Sequence, residues 1–316
     1  MRDIQPRPEG ALSAGVAGWR AKESRLSIVE PQRIVFAAAG DSVNLVADAY
    51  GTPGRPGILL AHGGGQTRHA WGKTAAALAE RGWRAVALDL RGHGESGWSA
   101  DGDYQMELFA ADLASVARQM GSRPALIGAS LGGLAGLLAE AEVAPGSFSS
   151  ITLVDIVPDM NLEGAAKVMA FMSANAGQGF ESLEAASDAI SSYLPHRPRP
   201  SDLSGLAKNL RLGEDGRYRW HWDPNFVASA NRQRSSRDRG AFEGGLADLR
   251  LPIHLIRGRQ SELVSREAAE SFVARLPNAE FTDVAGASHM VAGDRNDAFL
   301  DAVVGFFDRL EPSMKS

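Results

Sequence analysis

The sequence predicts an α/β protein in which a mostly parallel central sheet, covered by helices on both faces, is interrupted once by a helical insertion. Three observations predict it. Short apolar runs alternate with helical stretches from residue 33 to 156 and again from 252 to 310. Between them, residues 157–249 show helical segments and no evident buried strand. A GxSxG pentapeptide lies between one apolar strand and a small-residue helix, at a strand end, where open sheets of this kind bind ligands.

Each element has its own signal. Arg33–Ala38 and Val43–Ala49 read as the first two strands, turned at Gly40-Asp41. Gly57–Ala61 is wholly apolar and runs into His62-Gly63-Gly64-Gly65. A helix from about Ala70 to Arg81 stops at Gly82, and Arg84–Leu90 is the next buried strand. Met106–Met120 has helical spacing and stops at Gly121. Ala125–Gly128 is a short strand, Leu131–Glu140 a helix rich in Leu and Ala, and Ile151–Ile156 a further strand. The insertion carries a Pro-rich knot (Pro195, Pro198, Pro200) and an aromatic cluster (Tyr218, Trp220, Trp222). The rhythm resumes with a strand at Pro252–Gly258, a helix at Arg266–Arg275, a strand at Glu280–Val284 and a helix at Asn296–Leu310. The chain thus divides into an N-terminal extension (1–24), a core (25–156 and 250–316) and a helical cap (157–249).

Composition narrows the function. With 316 residues and 44% hydrophobic content, the chain can bury a large core. A net charge of −5 gives no reason to expect nucleic acid or an anionic membrane as a partner. There is no cysteine, which excludes disulfides, a thiol nucleophile and thiolate metal sites. Residues 1–24 lack the apolar run of a signal peptide, and no later segment is long enough to span a bilayer, so a cytoplasmic protein is expected. A homo-oligomer is compatible with this composition.

Gly128-Ala129-Ser130-Leu131-Gly132 carries the chemistry. Its glycines permit a sharp strand-to-helix turn that lifts the Ser130 hydroxyl clear of the sheet, which makes Ser130 the candidate nucleophile. Acyl transfer also needs backbone N–H groups aimed at the developing oxyanion. The amide of Leu131 is one candidate, at a helix start. Gly64 is the other, because a glycine brings backbone to a ligand without a Cβ in the way. Of seven histidines, His62, His69 and His93 precede Ser130, His254 lies inside a strand, and His196 and His221 lie in the cap. His289, between the last strand and the last helix, is left as general base. For the acid, Asp155 ends the strand after the nucleophile helix, and Glu262 follows the strand ending at Gly258. Asp155 is preferred and Glu262 is the alternative.

These residues resemble the α/β-hydrolase superfamily over about residues 30–310. The likeness rests on His62–Gly65, the segment Asp89-Leu90-Arg91-Gly92-His93-Gly94-Glu95-Ser96, the Ser130 elbow and the late His289. The second segment is read as structural, with Asp89 and Arg91 pairing locally. Many enzymes of this fold carry the acid three residues after the glycine that here is Gly258, a place held by Ser261. A subset, including some haloalkane dehalogenases and the lactone hydrolases that open zearalenone-type macrolactones, carries it where Asp155 stands. The resemblance implies an α/β-hydrolase fold and a serine hydrolase of small esters or lactones, working through an acyl-enzyme with no cofactor and no metal. Met169, Phe171, Met172, Trp220 and Trp222 are candidates to line an apolar substrate pocket, with the cap's own packing as their other explanation. His221 and Asp223 are placed outside the site. A cofactor-free perhydrolase or haloperoxidase and a C–C bond hydrolase would use the same triad, and a non-enzymatic ligand receptor is the alternative of another class.

Overall fold

A computed structural model describes residues 30–40, 42–174, 176–195, 199–229 and 243–314. The N-terminal extension, His196 and Pro198 lie outside the described residues. Two strands, β1 (Gln32–Ala37) and β2 (Asn44–Tyr50), open the chain as an antiparallel pair. β3 (Gly57–Ala61) is followed by a short 3-10 turn at Arg68–Trp71, α1 (Gly72–Glu80) and β4 (Arg84–Leu88). Next come α2 (Met106–Gln119), β5 (Ala125–Ala129), α3 (Leu131–Leu138) and β6 (Ser150–Val154).

The chain then leaves the sheet. Residues after β6 form α4 (Leu162–Ala174), α5 (Leu183–Tyr193), α6 (Ser204–Ala207), β7 (Leu210–Leu212), β8 (Tyr218–Trp220), a helical stretch over 224–229 and α7 (Glu243–Leu246). The core resumes with β9 (Ile253–Gly258), α8 (Arg266–Ala274), β10 (Ala279–Val284), α9 (Val291–Asp294) and α10 (Asn296–Met314). The sequence led us to expect a helical cap, but the insertion also holds two strands. β7 and β8 pair antiparallel, with Arg211 opposite Arg219 and Leu212 opposite Tyr218. Three-residue strands carrying arginine at their centres are too short and too charged to show a period of two.

Eight strands form one sheet in the order β1-β2-β4-β3-β5-β6-β9-β10, parallel from β4 onward. β3, β6 and β9 are buried at every residue because helices cover both faces. On one face Trp71, Leu78, Phe299, Phe306 and Phe307 pack from the helical segments. On the other, Phe109, Leu137 and Leu138 meet a core continuous with Met172, Trp220, Trp222 and Phe226 of the insertion. The insertion therefore shares the core and is not a separate lobe. Backbone bonds join it to the loop after β4: Gly94 N–H donates to His221 O at 2.6 Å, and Asp223 N–H donates to Gly92 O at 2.8 Å. The buried Asp223 carboxylate also accepts the Tyr104 hydroxyl at 2.6 Å. His221 and Asp223 are thus docking residues. No described helix is long and apolar enough to cross a membrane.

Candidate active site

The turn between β5 and α3 is tight because its neighbours have no side chain. A Cβ on Gly128 would lie 2.6 Å from Gly133 Cα, and one on Gly132 would lie 2.6 Å from Ala61 O. Ser130, set between them, is held at φ 45°, a left-handed conformation that costs a non-glycine residue about 1–3 kcal/mol. Such strain persists only where the surroundings over-determine it. Here Ser130 N–H donates to Val154 O at 3.3 Å, and Leu134 N–H donates to Ser130 O at 3.0 Å.

The loop after β3 lies directly against this elbow, for a Cβ on Gly63 would come within 3.3 Å of Ser130 Cβ. Within it, Gly63 N–H donates to Gln66 Oε1 at 2.9 Å and Gly65 N–H donates to His93 Nε2 at 3.1 Å. Among the described residues the Gly64 amide has no such partner. Leu131 N–H is the first amide of α3, where no intrahelical acceptor exists. Gly64 and Leu131 both border the same cavity as Ser130.

Two buried histidines hold this loop, a role the sequence reading did not give them. His62 accepts Leu90 N–H at Nε2 (3.0 Å), so its proton sits on Nδ1 and is donated to Gly63 O at 2.8 Å. His93 accepts from Gly65 at Nε2 and donates Nδ1–H to Arg91 O at 3.0 Å. Both are neutral: burial pulls His62 down to about 4 and His93 to about 3. The only signal in the sequence was that each sits beside a glycine, in His62-Gly63 and His93-Gly94. In the same segment Asp89 and Arg91 do not pair with each other, contrary to expectation. Asp89 pairs with the buried Arg68, whereas Arg91 donates to both carboxylate oxygens of Asp112 at 2.6 and 2.7 Å. Both remain structural, since each meets its charge from another element.

His289 lies in the loop between β10 and α9. Ser288 anchors that loop through its backbone N–H and hydroxyl, both donating to Asp294 Oδ2. The imidazole Nδ1 lies 2.8 Å from Asp155 Oδ2. Asp155 follows β6 at φ 52° and is fully buried, with Oδ1 accepting Gly258 N–H at 2.9 Å. Glu262, the alternative acid, borders the cavity, and it is Asp155 that meets the imidazole.

The cavity over these groups has a volume of about 1860 Å³. Ser130 and His289 border it from the sheet, and Met169, Phe171, Met172, Trp220 and Trp222 from the insertion. Met172 reaches over the loop after β3, where a Cβ on Gly65 would lie 2.9 Å from its terminal methyl. Trp220 packs edge-on against Phe171 and Phe180, with ring centroids 6.1 and 5.3 Å apart. Trp220 is 9% exposed and Trp222 2%, so each packs the insertion while turning one side to the cavity. Among the described residues no group of three or more His, Asp or Glu could hold a metal ion.

A family model for the alpha/beta hydrolase fold matches residues 56–295. The chain belongs to the α/β-hydrolase family. One relative is the esterase Rv0045c of Mycobacterium tuberculosis, 30% identical over 262 residues, which span 80% of this chain and 83% of the relative. Its solved structure superposes with a TM-score of 0.69 at 26% identity, covering 88% of this chain and 92% of that one. A 2-(acetamidomethylene)succinate hydrolase of Mesorhizobium japonicum is 27% identical over 224 residues, 71% of this chain and 78% of the relative. The structure of an E-2-(acetamidomethylene)succinate hydrolase aligns with a TM-score of 0.76, over 88% of this chain and all of that one. At 24% identity that alignment shows the fold. None of these relatives is a zearalenone-type lactone hydrolase, so the likeness shown is to the family and not to that branch.

Proposed function

We propose that this protein is a serine hydrolase that cleaves a carboxylic ester or lactone of a small, hydrophobic or aromatic substrate through an acyl-enzyme. The observation that carries the reading is the left-handed Ser130 in one cavity with a histidine whose Nδ1 meets a buried aspartate. With Nδ1–H committed to Asp155, the lone pair of His289 is on Nε2, the nitrogen a general base needs. Ser130 Oγ attacks the carbonyl carbon as Nε2 takes its proton, and the amides of Gly64 and Leu131 stabilise the oxyanion. The imidazolium then returns that proton to the departing alcohol oxygen. A water molecule, deprotonated by the same nitrogen, releases the acid and regenerates Ser130.

A serine at the elbow favours esters and lactones over the carbon–halogen and epoxide chemistry of family members that use an aspartate there. The relative named as an esterase supports an ester substrate. The insertion acts as a cap, and its methionines and aromatic rings favour an apolar acyl or alcohol group. A panel of p-nitrophenyl esters and lactones, run with the protein and with Ser130→Ala, tests the reading. Turnover lost in the variant is expected, as is a fluorophosphonate adduct on Ser130 by peptide mass. An adduct on a different serine, or undiminished turnover in the variant, would overturn it.

A further inference from the structure

The carboxylate of Asp155 serves a partner beyond His289 and the Gly258 amide. Oδ2, the oxygen that meets His289 Nδ1 at 2.8 Å, also accepts the Ser261 hydroxyl at 2.6 Å. The direction of that bond is determined. A serine hydroxyl has one proton and two lone pairs. Ser261 Oγ accepts the amide of Leu263 at 3.1 Å and that of Val264 at 3.0 Å, which engages both lone pairs. Its proton is left for Oδ2, and a bond from hydroxyl to carboxylate is among the stronger kinds.

From this arrangement we propose that Ser261 is a positioning residue of the catalytic site, holding the Asp155 carboxylate in line with His289. The inference rests on the reading of Ser130, His289 and Asp155 as a triad. Asp155 stands just beyond β6 with Oδ1 fixed by a single amide. Without Ser261, the only group among the described residues that holds Oδ2 is the imidazole that the carboxylate is there to orient. During turnover that imidazole gains and loses a proton, so its own grip varies. Ser261 supplies a second donor that does not change. The loss on its removal therefore falls on kcat. Ser261 lies outside the cavity lining, so KM should be little affected.

The two amide bonds give Ser261 a second role, tying the loop over 261–264, and a double-mutant cycle separates the two. Turnover of one p-nitrophenyl ester and thermal unfolding are measured for the unaltered chain, Ser261→Ala, Asp155→Asn and the double variant. Ser261→Ala should lower kcat about tenfold with KM within twofold, and Ser261→Thr should restore most of it. In the Asp155→Asn background, Ser261→Ala should cost less than twofold, because the carboxylate it served is gone. Should the alanine variant not fold, Ser261→Cys, a weak donor of similar size, replaces it with an intermediate loss expected. Equal losses in both backgrounds, accompanied by a lower Tm, would reduce Ser261 to a loop tie and overturn the inference. An unchanged kcat in Ser261→Ala would do so too. If Ser130→Ala and Asp155→Asn both abolish turnover in that case, only the role of Ser261 falls. If those two variants remain active, the triad reading falls and takes this inference with it.

Discussion

Replacing Asp155 by asparagine preserves shape while removing charge and one acceptor, and the surroundings of Asp155 set the expected cost. Three donors converge on it: Gly258 N–H on Oδ1, and both Ser261 Oγ–H and His289 Nδ1 on Oδ2. An amide has one oxygen. If that oxygen faces Gly258, the NH2 group faces Ser261 and His289. The imidazole must then accept at Nδ1 and carry its proton on Nε2, which removes the base from Ser130. If the oxygen faces His289, the NH2 group meets the Gly258 amide in a fully buried site, leaving two donors opposed. In the first arrangement the NH2 group meets the Ser261 hydroxyl, which can turn its proton aside by giving up one of the amide bonds from Leu263 and Val264, whereas the Gly258 N–H cannot turn. The first arrangement is therefore cheaper, and the variant should fold with the wrong tautomer. In the best-studied Ser-His-Asp enzyme the same change costs about 10⁴ in kcat, or about 5.5 kcal/mol of barrier. A loss of 10³–10⁴ in kcat is expected here, whereas Glu262→Gln should cost less than about tenfold. Steady-state turnover of a p-nitrophenyl ester checks both, with circular dichroism to show that each variant folds. A folded Asp155→Asn that keeps a tenth of its activity would refute the reasoning, as would the reverse ranking of the two variants.

Other expected outcomes follow from the buried groups. His62, His93 and His254 titrate at about 4, 3 and 3 in the folded protein because burial disfavours their charge. Unfolded, each titrates near about 6.5, so their contribution is full above that pH and is lost as the pH falls toward about 4 for His62 and toward about 3 for His93 and His254. Each group should forfeit about 1.4 kcal/mol of stability between pH 7.5 and 5.5; urea unfolding that gives one free energy at both pH values would contradict this. Trp222, 2% exposed and packed against Phe226, should cost about 3–5 kcal/mol when cut to alanine. Trp222→Phe should retain the fold while raising KM for bulky esters more than for an acetate; equal changes for both would make the ring a packing group alone. In Gly132→Ala the new Cβ would meet Ala61 O at 2.6 Å, pushing α3 off β3. That variant should lose about 1–3 kcal/mol of stability and most of its kcat, and a wild-type Tm with full turnover would show the elbow to be looser than its contacts imply.

What could be read from the sequence was what neighbours along the chain dictate. Gly57–Ala61 reads as a strand because it is apolar throughout, and it is a strand buried at every residue. Met106–Met120 reads as a helix from its spacing, and α2 ends one residue earlier, at Gln119. The GxSxG turn was legible because the constraint on Ser130 comes from glycines two and three residues away. Boundaries slipped where the cause was distant. The strand expected to reach Leu90 stops at Leu88, because the Asp89 side chain is drawn to Arg68 and the Leu90 amide to His62. The partners of Asp89 and Arg91, the ribbon of β7 and β8, and the hold of His62 and His93 on the loop after β3 were equally hidden. In each case the partner sits on another element, and no local period records it. Which carboxylate meets His289 belongs to the same class. Asp155 and Glu262 lie 107 residues apart in sequence, yet the strands before them, β6 and β9, are neighbours in one sheet. Either strand end could have offered an acid to the same imidazole. Tertiary structure decided it by burying Asp155 under the Gly258 amide and the Ser261 hydroxyl, two donors that exist there only once β9 has paired with β6.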